Sequence, residues 1–295
     1  MTSVQNEDLG GALSWAAETI GPVSGVRRLS GGWTSTMLAL TGAHGESAVL
    51  RLMDREPWRR HGPALTTREH LTLEMLAGSG LPAAASLALD ADGGHCGHPA
   101  HLMSPLPGSV QVGRHDDDSL ARLADLLASI HAVEVSAAVR PYESWAFEAK
   151  YRVPSWATDA VTWETAFDVL RSEPPAFAPT FIHRDFQPRN VLWAEGRISG
   201  VVDWVETSIG PAWLDVAHCV TSLTLWHGSD VADAFVAAYV DRTGRTPQPY
   251  FEVMDLVAFL PAPGRQEYVV DPGERVRFET RLATVLRRLS RRTEP

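Results

Sequence analysis

Three short strand-like runs of apolar and polar positions stand near the amino end, and beyond them the pattern changes. They are SGVRRLSGG (24–32), WTSTMLAL (33–40) and ESAVLRLM (46–53). Gly31-Gly32 and the GAHG turn at 42–45 separate them, so they read as an antiparallel meander. A helix over 8–20 precedes them and stops at Gly21-Pro22. Helical spacing follows at about 64–77, and ASLALD (85–90) and HPAHLMSPL (98–106) supply two more strands. Residues 20–104 therefore predict a small five-stranded sheet with one helix inserted after the third strand.

Beyond the PLPG connector at 105–108 the pattern turns mainly helical. Leu120, Leu123, Leu127 and Ile130 recur at helical spacing within 118–133, with Asp116, Asp117 and Asp118 placed to cap that helix and complement its dipole. His131 near its end reads as a structural histidine. Residues 143–173 read as helical, carrying Trp145, Trp156 and Trp163 among scattered acids. Helical patterns return at 212–227, 230–243 and 250–260, and an arginine-rich amphipathic helix covers 273–292. The division expected is 1–104 against 105–295.

Composition narrows the function classes. The 295 residues are 44% hydrophobic and 21% charged, an ordinary globular balance. No apolar run reaches the roughly 18 residues of a membrane span, and the polar, acidic start lacks the features of a secretory signal, so a cytoplasmic protein without a membrane partner is expected. A net charge of −10 argues against a nucleic-acid partner. Cys96 and Cys219 suggest no disulfide framework. Monomer and homodimer are both compatible with the sequence. Of 26 basic residues only Lys150 is a lysine, so arginine is not a special choice at every position.

Candidate chemistry concentrates in FIHRDFQPRNVLW (181–193). NVLW reads as a strand, AEGR as a turn and ISGVVDW as the returning strand. Pairing about a centre between Gly196 and Arg197 sets Asn190 opposite Asp203, at the end where Asp185 also lies. Three hard oxygen donors in one loop region suit Mg²⁺ bound to nucleotide phosphates. His95, Cys96, His98 and His101 lack a matching second cluster for a metal site, and no G-x-S-x-G elbow supports a hydrolase.

His183-Arg184-Asp185-x-x-x-x-Asn190 resembles the H-R-D-x-x-x-x-N loop of kinase-like enzymes, with Asp203 where their second metal aspartate falls. Over roughly residues 20–260 the chain resembles the aminoglycoside phosphotransferase family. That resemblance implies an α+β, bilobal protein-kinase-like fold: a nucleotide-binding lobe (1–104) and a helical catalytic and substrate-binding lobe (105–295). It implies a small-molecule kinase, moving the γ-phosphoryl group of ATP or GTP to a hydroxyl of an aminoglycoside-like antibiotic or related metabolite. Asp185 would be the base, Asn190 and Asp203 the Mg²⁺ ligands, and His183 a structural member of the loop. Asp215 would brace that loop by accepting backbone N–H bonds.

Arg51 stands where such folds usually carry a lysine, with Glu69 as its expected partner and Glu74 as the alternative. A guanidinium can bind phosphate oxygens as a bidentate fork. Gly31, Gly32, Thr34 and Ser35 would approach the phosphates, although LSGGWTSTM is not G-x-G-x-x-G. Val49, Met103, Ser104 and the neighbouring Pro105 would meet the base. Asp215 follows Asp203 by only twelve positions, too few for a peptide platform, so a small acceptor is expected. Trp145, Trp156 and Trp163 would wall it, and Glu148, Asp159, Glu164 and Glu206 could meet ammonium groups. A macrolide, a sugar or an amino alcohol is equally open as acceptor. The rival reading is a non-catalytic nucleotide-binding regulator on the same fold.

Overall fold

The computed structural model describes residues 9–113, 116–135 and 139–293. Along the chain run α1 (Gly10–Ile20), β1 (Val23–Arg28), β2 (Thr36–Gly42), β3 (Ser47–Leu52), α2 (Gly62–Leu76), β4 (Ser86–Asp90), β5 (Ala100–Met103) and β6 (Ser109–Val110). After them come α3 (Asp117–His131), α4 (Ala160–Arg171), β7 (Pro179–Ile182), β8 (Val191–Ala194), β9 (Arg197–Val201) and β10 (Ser208–Pro211). Four helices close the chain: α5 (Ala212–His227), α6 (Ser229–Thr243), α7 (Pro249–Ala258) and α8 (Pro272–Thr293).

The chain divides into two compact units. The first holds an antiparallel sheet in the order β1-β2-β3-β5-β4, with α2 inserted after β3 as the sequence pattern predicts. Burial alternates along β2, so Leu38 and Leu40 face the core while Met37 and Ala39 lie on the other face. α1 closes the core face with Ala12, Trp15, Ala16 and Ile20, at the three- and four-residue steps of a helix stripe. Each large apolar side chain buried there contributes about 1.5–3 kcal/mol.

The expected division at 104 is corrected, because residues 191–206 belong to the first unit. The β8–β9 hairpin is tied there by hydrogen bonds to backbone carbonyls: Val201 N–H donates to Pro82 O at 2.8 Å, and Ser199 Oγ donates to Pro107 O at 2.7 Å. Val205 then packs on Met53 and Leu65. The hairpin's register also differs from the expectation. Its turn is the two-residue Glu195-Gly196, with both φ angles positive (52° and 73°), so Ala194 faces Arg197. A bulge between Leu192 and Trp193 then sets Val191 opposite Val201, one residue tighter than a pairing of Asn190 with Asp203 requires.

The second unit is mainly helical. α5 runs through its core with nearly every side chain buried, packed against α6, α7 and α8. β7 and β10, which the hydrophobic pattern did not reveal as a pair, form an antiparallel ladder with Ser208 opposite Ile182. That ladder delivers the chain into His183 and passes directly into α5. The expectation of helix throughout 143–173 is corrected: apart from a 3-10 turn at Glu148–Lys150, regular helix begins only at Ala160. The preceding segment is irregular, and just before it Tyr142 N–H donates to Ile209 O in β10. No helix among the described residues is long and apolar enough to cross a membrane.

Candidate active site

In the first unit Arg51 and Glu69 form a buried pair. Arg51 Nε and Nη2 each donate to a different Glu69 oxygen at 2.9 Å, the bidentate fork that a lysine cannot make. Arg51 Nη1 also donates to Ser35 Oγ at 3.2 Å, and its Nη2 lies 3.1 Å from Asp203. Glu69 accepts a further bond from His101 Nδ1 at 3.0 Å. Burial alone would raise the Glu69 carboxyl, but the Arg51 charge and the His101 donor hold it down at about 2. Glu74, the alternative partner, is not in this pair. Asp203 occupies left-handed backbone at φ +69°, a conformation costing about 1 kcal/mol outside glycine.

The glycine turn lies between β1 and β2. Gly31 sits at φ +99°, and a side chain at Gly32 would run into Ser35 O at 2.4 Å, so both positions need glycine. Thr34 is half-buried and Ser35 fully buried. Val49 and Met103 face each other across β3 and β5. The Ser104 N–H is given to Ala85 O at 2.9 Å, which leaves the Ser104 carbonyl as its backbone group for a base.

In the second unit the loop after β7 wraps around carboxylates. Asp215, fully buried on α5, accepts the N–H of His183 at 2.8 Å and that of Arg184 at 2.6 Å. Arg184 is held at φ +74° by that contact, and its guanidinium stacks 3.8 Å from the centre of the Trp145 ring. Asp215 also pairs with His131 Nε2 at 3.1 Å, and His131 Nδ1 meets Tyr239 Oη at 2.7 Å. Burial opposes ionisation of Asp215, yet the hydrogen bond and charge of His131 leave its carboxyl below the usual range. His183 is buried, and its Nδ1 accepts the Asp185 N–H at 3.3 Å.

Asp185 has three side-chain donors. Oδ1 faces His218 Nε2 at 2.8 Å and Gln187 Nε2 at 2.8 Å, and Oδ2 accepts from Asn190 Nδ2 at 2.9 Å. Asn190 Nδ2 donates again to Asp185 O at 2.8 Å, which leaves the amide oxygen of Asn190 for another partner. Against the cost of burial, the His218 hydrogen bond and charge lower the Asp185 carboxyl. For His218 itself, burial disfavours the charge, but Asp255 and Asp185 push its pKa up to about 10.

The proposed acceptor walls separate into different environments. Trp145 is half-buried beside Arg184 and His218. Trp156 is half-buried against Trp163 and Phe278. Trp163 is corrected as a wall: it is fully buried, lies against Phe278, and donates through Nε1 to Glu279 at 2.9 Å. Glu148 is exposed and pairs with Arg171 at 3.4 Å, Asp159 caps α4, and Glu164 is exposed. Glu206 lies in the first unit, 3.7 Å from Arg68. No group of three His, Cys, Asp or Glu residues suited to a metal ion occurs among the described residues.

These two sets of residues fall within a stretch, 25–256, that matches the phosphotransferase enzyme family. The chain belongs to that family. It is a phosphotransferase by family, with a kinase-like α+β fold. This phosphotransferase is 28% identical over 82 residues to aminoglycoside 3'-phosphotransferase of Enterococcus faecalis, a match spanning 28% of this chain and 30% of that relative. Its fold resembles that of aminoglycoside phosphotransferase APH(4)-Ia, with a TM-score of 0.64, 17% identity, and 94% of this chain and 98% of that one covered. A thermostable mutant of that protein has been solved in a ternary complex with ADP and hygromycin B. Amicoumacin kinase hAmiN, in complex with AMP-PNP, Ca²⁺ and Ami, has a TM-score of 0.59 at 13% identity, over 97% of this chain and 94% of that one.

His218 and Asp255 of this phosphotransferase were not evident from sequence. A signal was present: α5 is largely apolar, yet Asp215, His218 and Ser222, spaced three and four apart, share one side, with Thr221 beside them. Asp255 is likewise the lone acid in VMDLVAFL. Polar residues inside an otherwise buried helix need a partner, and here each of the two acids and the histidine has one.

Proposed function

We propose that this phosphotransferase moves the γ-phosphoryl group of ATP or GTP to a hydroxyl of a small molecule, and that Asp185 orients that hydroxyl and takes its proton. The observation that carries this is the occupancy of the Asp185 carboxylate. Each carboxylate oxygen has two lone pairs. Among the described residues Oδ1 already meets two donors, whereas Oδ2 meets only Asn190 and keeps one lone pair for an acceptor hydroxyl. A carboxylate whose basicity is lowered is a weak proton acceptor early in the reaction. That suits a loose phosphoryl-transfer transition state, in which positioning of the hydroxyl matters first and its proton leaves late.

The donor set fits Mg²⁺, a hard cation that takes one or two protein oxygens and completes its shell with water and phosphate. Asn190, through the amide oxygen not used on Asp185, and the Asp203 carboxylate would hold it, and it would neutralise charge on the transferring phosphates. Arg51, fixed by Glu69, would bind phosphate oxygens, with Gly31, Gly32, Thr34 and Ser35 alongside and Val49 and Met103 against the base. Three of the four acids considered for ammonium recognition are engaged with Arg171, Arg68 or a helix cap, so the acceptor is assigned by its hydroxyl and not by positive charge. Trp145 is the aromatic residue best placed to meet it.

The test is nucleotide consumption across hydroxylated amines, sugars and macrolides, with Asp185→Asn beside the wild type. Acceptor-dependent turnover confined to the wild type supports the reading. Nucleotide binding without transfer to any acceptor refutes it.

A further inference from the structure

His218 lies between two carboxylates of the second unit. Its Nε2 is 2.8 Å from Asp185 Oδ1 and its Nδ1 is 3.0 Å from Asp255 Oδ1. Ionised carboxylates only accept hydrogen bonds, so both ring nitrogens must carry protons for both contacts to form. Asp255 is fully buried on α7, and its other oxygen accepts the Thr221 hydroxyl at 2.7 Å. Among the described residues, Arg184 lies 4.0 Å from Asp255 Oδ1, Lys150 senses Asp255, and His183 faces Asp185. The ring itself has little room to turn. It is 5% exposed, with the Trp145 ring edge-on at 5.7 Å and the Phe259 ring at 5.5 Å.

We propose that His218 is a positioning residue: its imidazolium, anchored on Asp255, fixes Oδ1 of Asp185 and leaves Oδ2 as the oxygen that meets the acceptor hydroxyl. This rests on the role of Asp185 given above. Without His218, the Asp185 carboxylate keeps Gln187 and Asn190 as donors but can rotate between them, and either oxygen can face the acceptor. An angular error of that kind costs turnover while leaving nucleotide binding alone. Asp255 acts one step further back, through His218.

The experiment pairs kinetics with NMR on the full chain. His218→Leu is expected to lower kcat for the acceptor about 100-fold, with the nucleotide KM changed by less than about twofold. His218→Gln, which can still donate one bond to Asp185, is expected to recover about tenfold of that loss and serves if the leucine variant does not fold. Asp255→Asn alone should cost about tenfold, but less than about twofold once His218 is leucine, because both act on one oxygen. Wild-type kcat in His218→Leu, or independent multiplication of the two losses, overturns the proposal. In ¹⁵N-histidine spectra, two ring protons on His218 and a shift of the Nε2–H signal in Asp185→Asn are expected. A singly protonated ring, or an Nε2 signal indifferent to Asp185→Asn, also overturns it. If wild type phosphorylates no acceptor, the proposed function falls on that result, and the spectra decide the His218–Asp185 link separately.

Discussion

The N–H of Arg184 lies 2.6 Å from Asp215 Oδ1, and Arg184 is held there in left-handed backbone at φ +74°. A non-glycine residue adopts that conformation only when its surroundings over-determine it. Here the Asp215 carboxylate takes two consecutive N–H groups, so the backbone turn and the direction of Asp185 are set by one buried acid.

Asp215→Asn tests that relationship. One carboxylate oxygen becomes an NH₂ group facing a backbone donor, which should cost about 3 kcal/mol in urea unfolding. Turnover should fall with it, about 100-fold, since the loop carrying Asp185 loses its anchor. A variant of unchanged stability and rate would remove Asp215 from the support of the loop.

Arg51 and Glu69 make a second prediction. Arg51→Ala leaves Glu69 buried and short of its cation, a loss of about 3–5 kcal/mol, and weakens nucleotide binding. Arg51→Lys keeps the charge but cannot reproduce the fork, so its nucleotide KM should lie between those of wild type and alanine. Equal nucleotide affinity in all three proteins would confine Arg51 to a structural role.

The same pair sets an acid limb. Glu69 falls from its ordinary value of 4.5 to about 2 in the folded chain. A carboxyl depressed on folding stabilises the protein fully above its unfolded pKa, and that contribution is lost as pH falls toward the folded value. The window is therefore about pH 4.5 to 2, and the amount on the order of 3 kcal/mol. Glu69→Gln should be less stable at pH 7 and show a flatter stability curve across that window by thermal unfolding. An unchanged slope there would contradict the assignment.

Trp163 should behave as core. Trp163→Ala removes a fully buried indole packed on Phe278 and should cost about 3–5 kcal/mol in denaturant unfolding. The acceptor KM of Trp163→Phe should stay close to wild type, whereas Trp145→Phe should raise it. A large KM change at Trp163 alone would return it to the acceptor wall.

The sequence was most legible where one face of an element is buried and the other is not. The β1–β3 meander, the inserted α2 and the amphipathic α3 follow from that contrast alone. Residues 143–159 carry tryptophans that invite a helical reading, but the chain is held to β10 just before them, through Tyr142 and Arg140 on Ile209, and regular helix starts only at Ala160. The hairpin register slipped because a two-residue turn with positive φ at Glu195 and Gly196, followed by a bulge, leaves little trace in composition. Local spacing joins loop and hairpin in one unit. Long-range hydrogen bonds from Val201 and Ser199 instead give the hairpin to the first unit, a feature no local pattern encodes. His218 and Asp255 stayed hidden because a buried polar residue in an apolar helix announces a partner but not which one.

Asp185→Asn tests the central claim most directly. The substitution keeps size and removes the charge and the free lone pair that would meet the acceptor. With an acceptor established for the wild type, kcat for phosphoryl transfer should fall about 100- to 10,000-fold while nucleotide affinity is retained. Transfer at the wild-type rate would contradict the assignment of Asp185 and, with it, the account of the site.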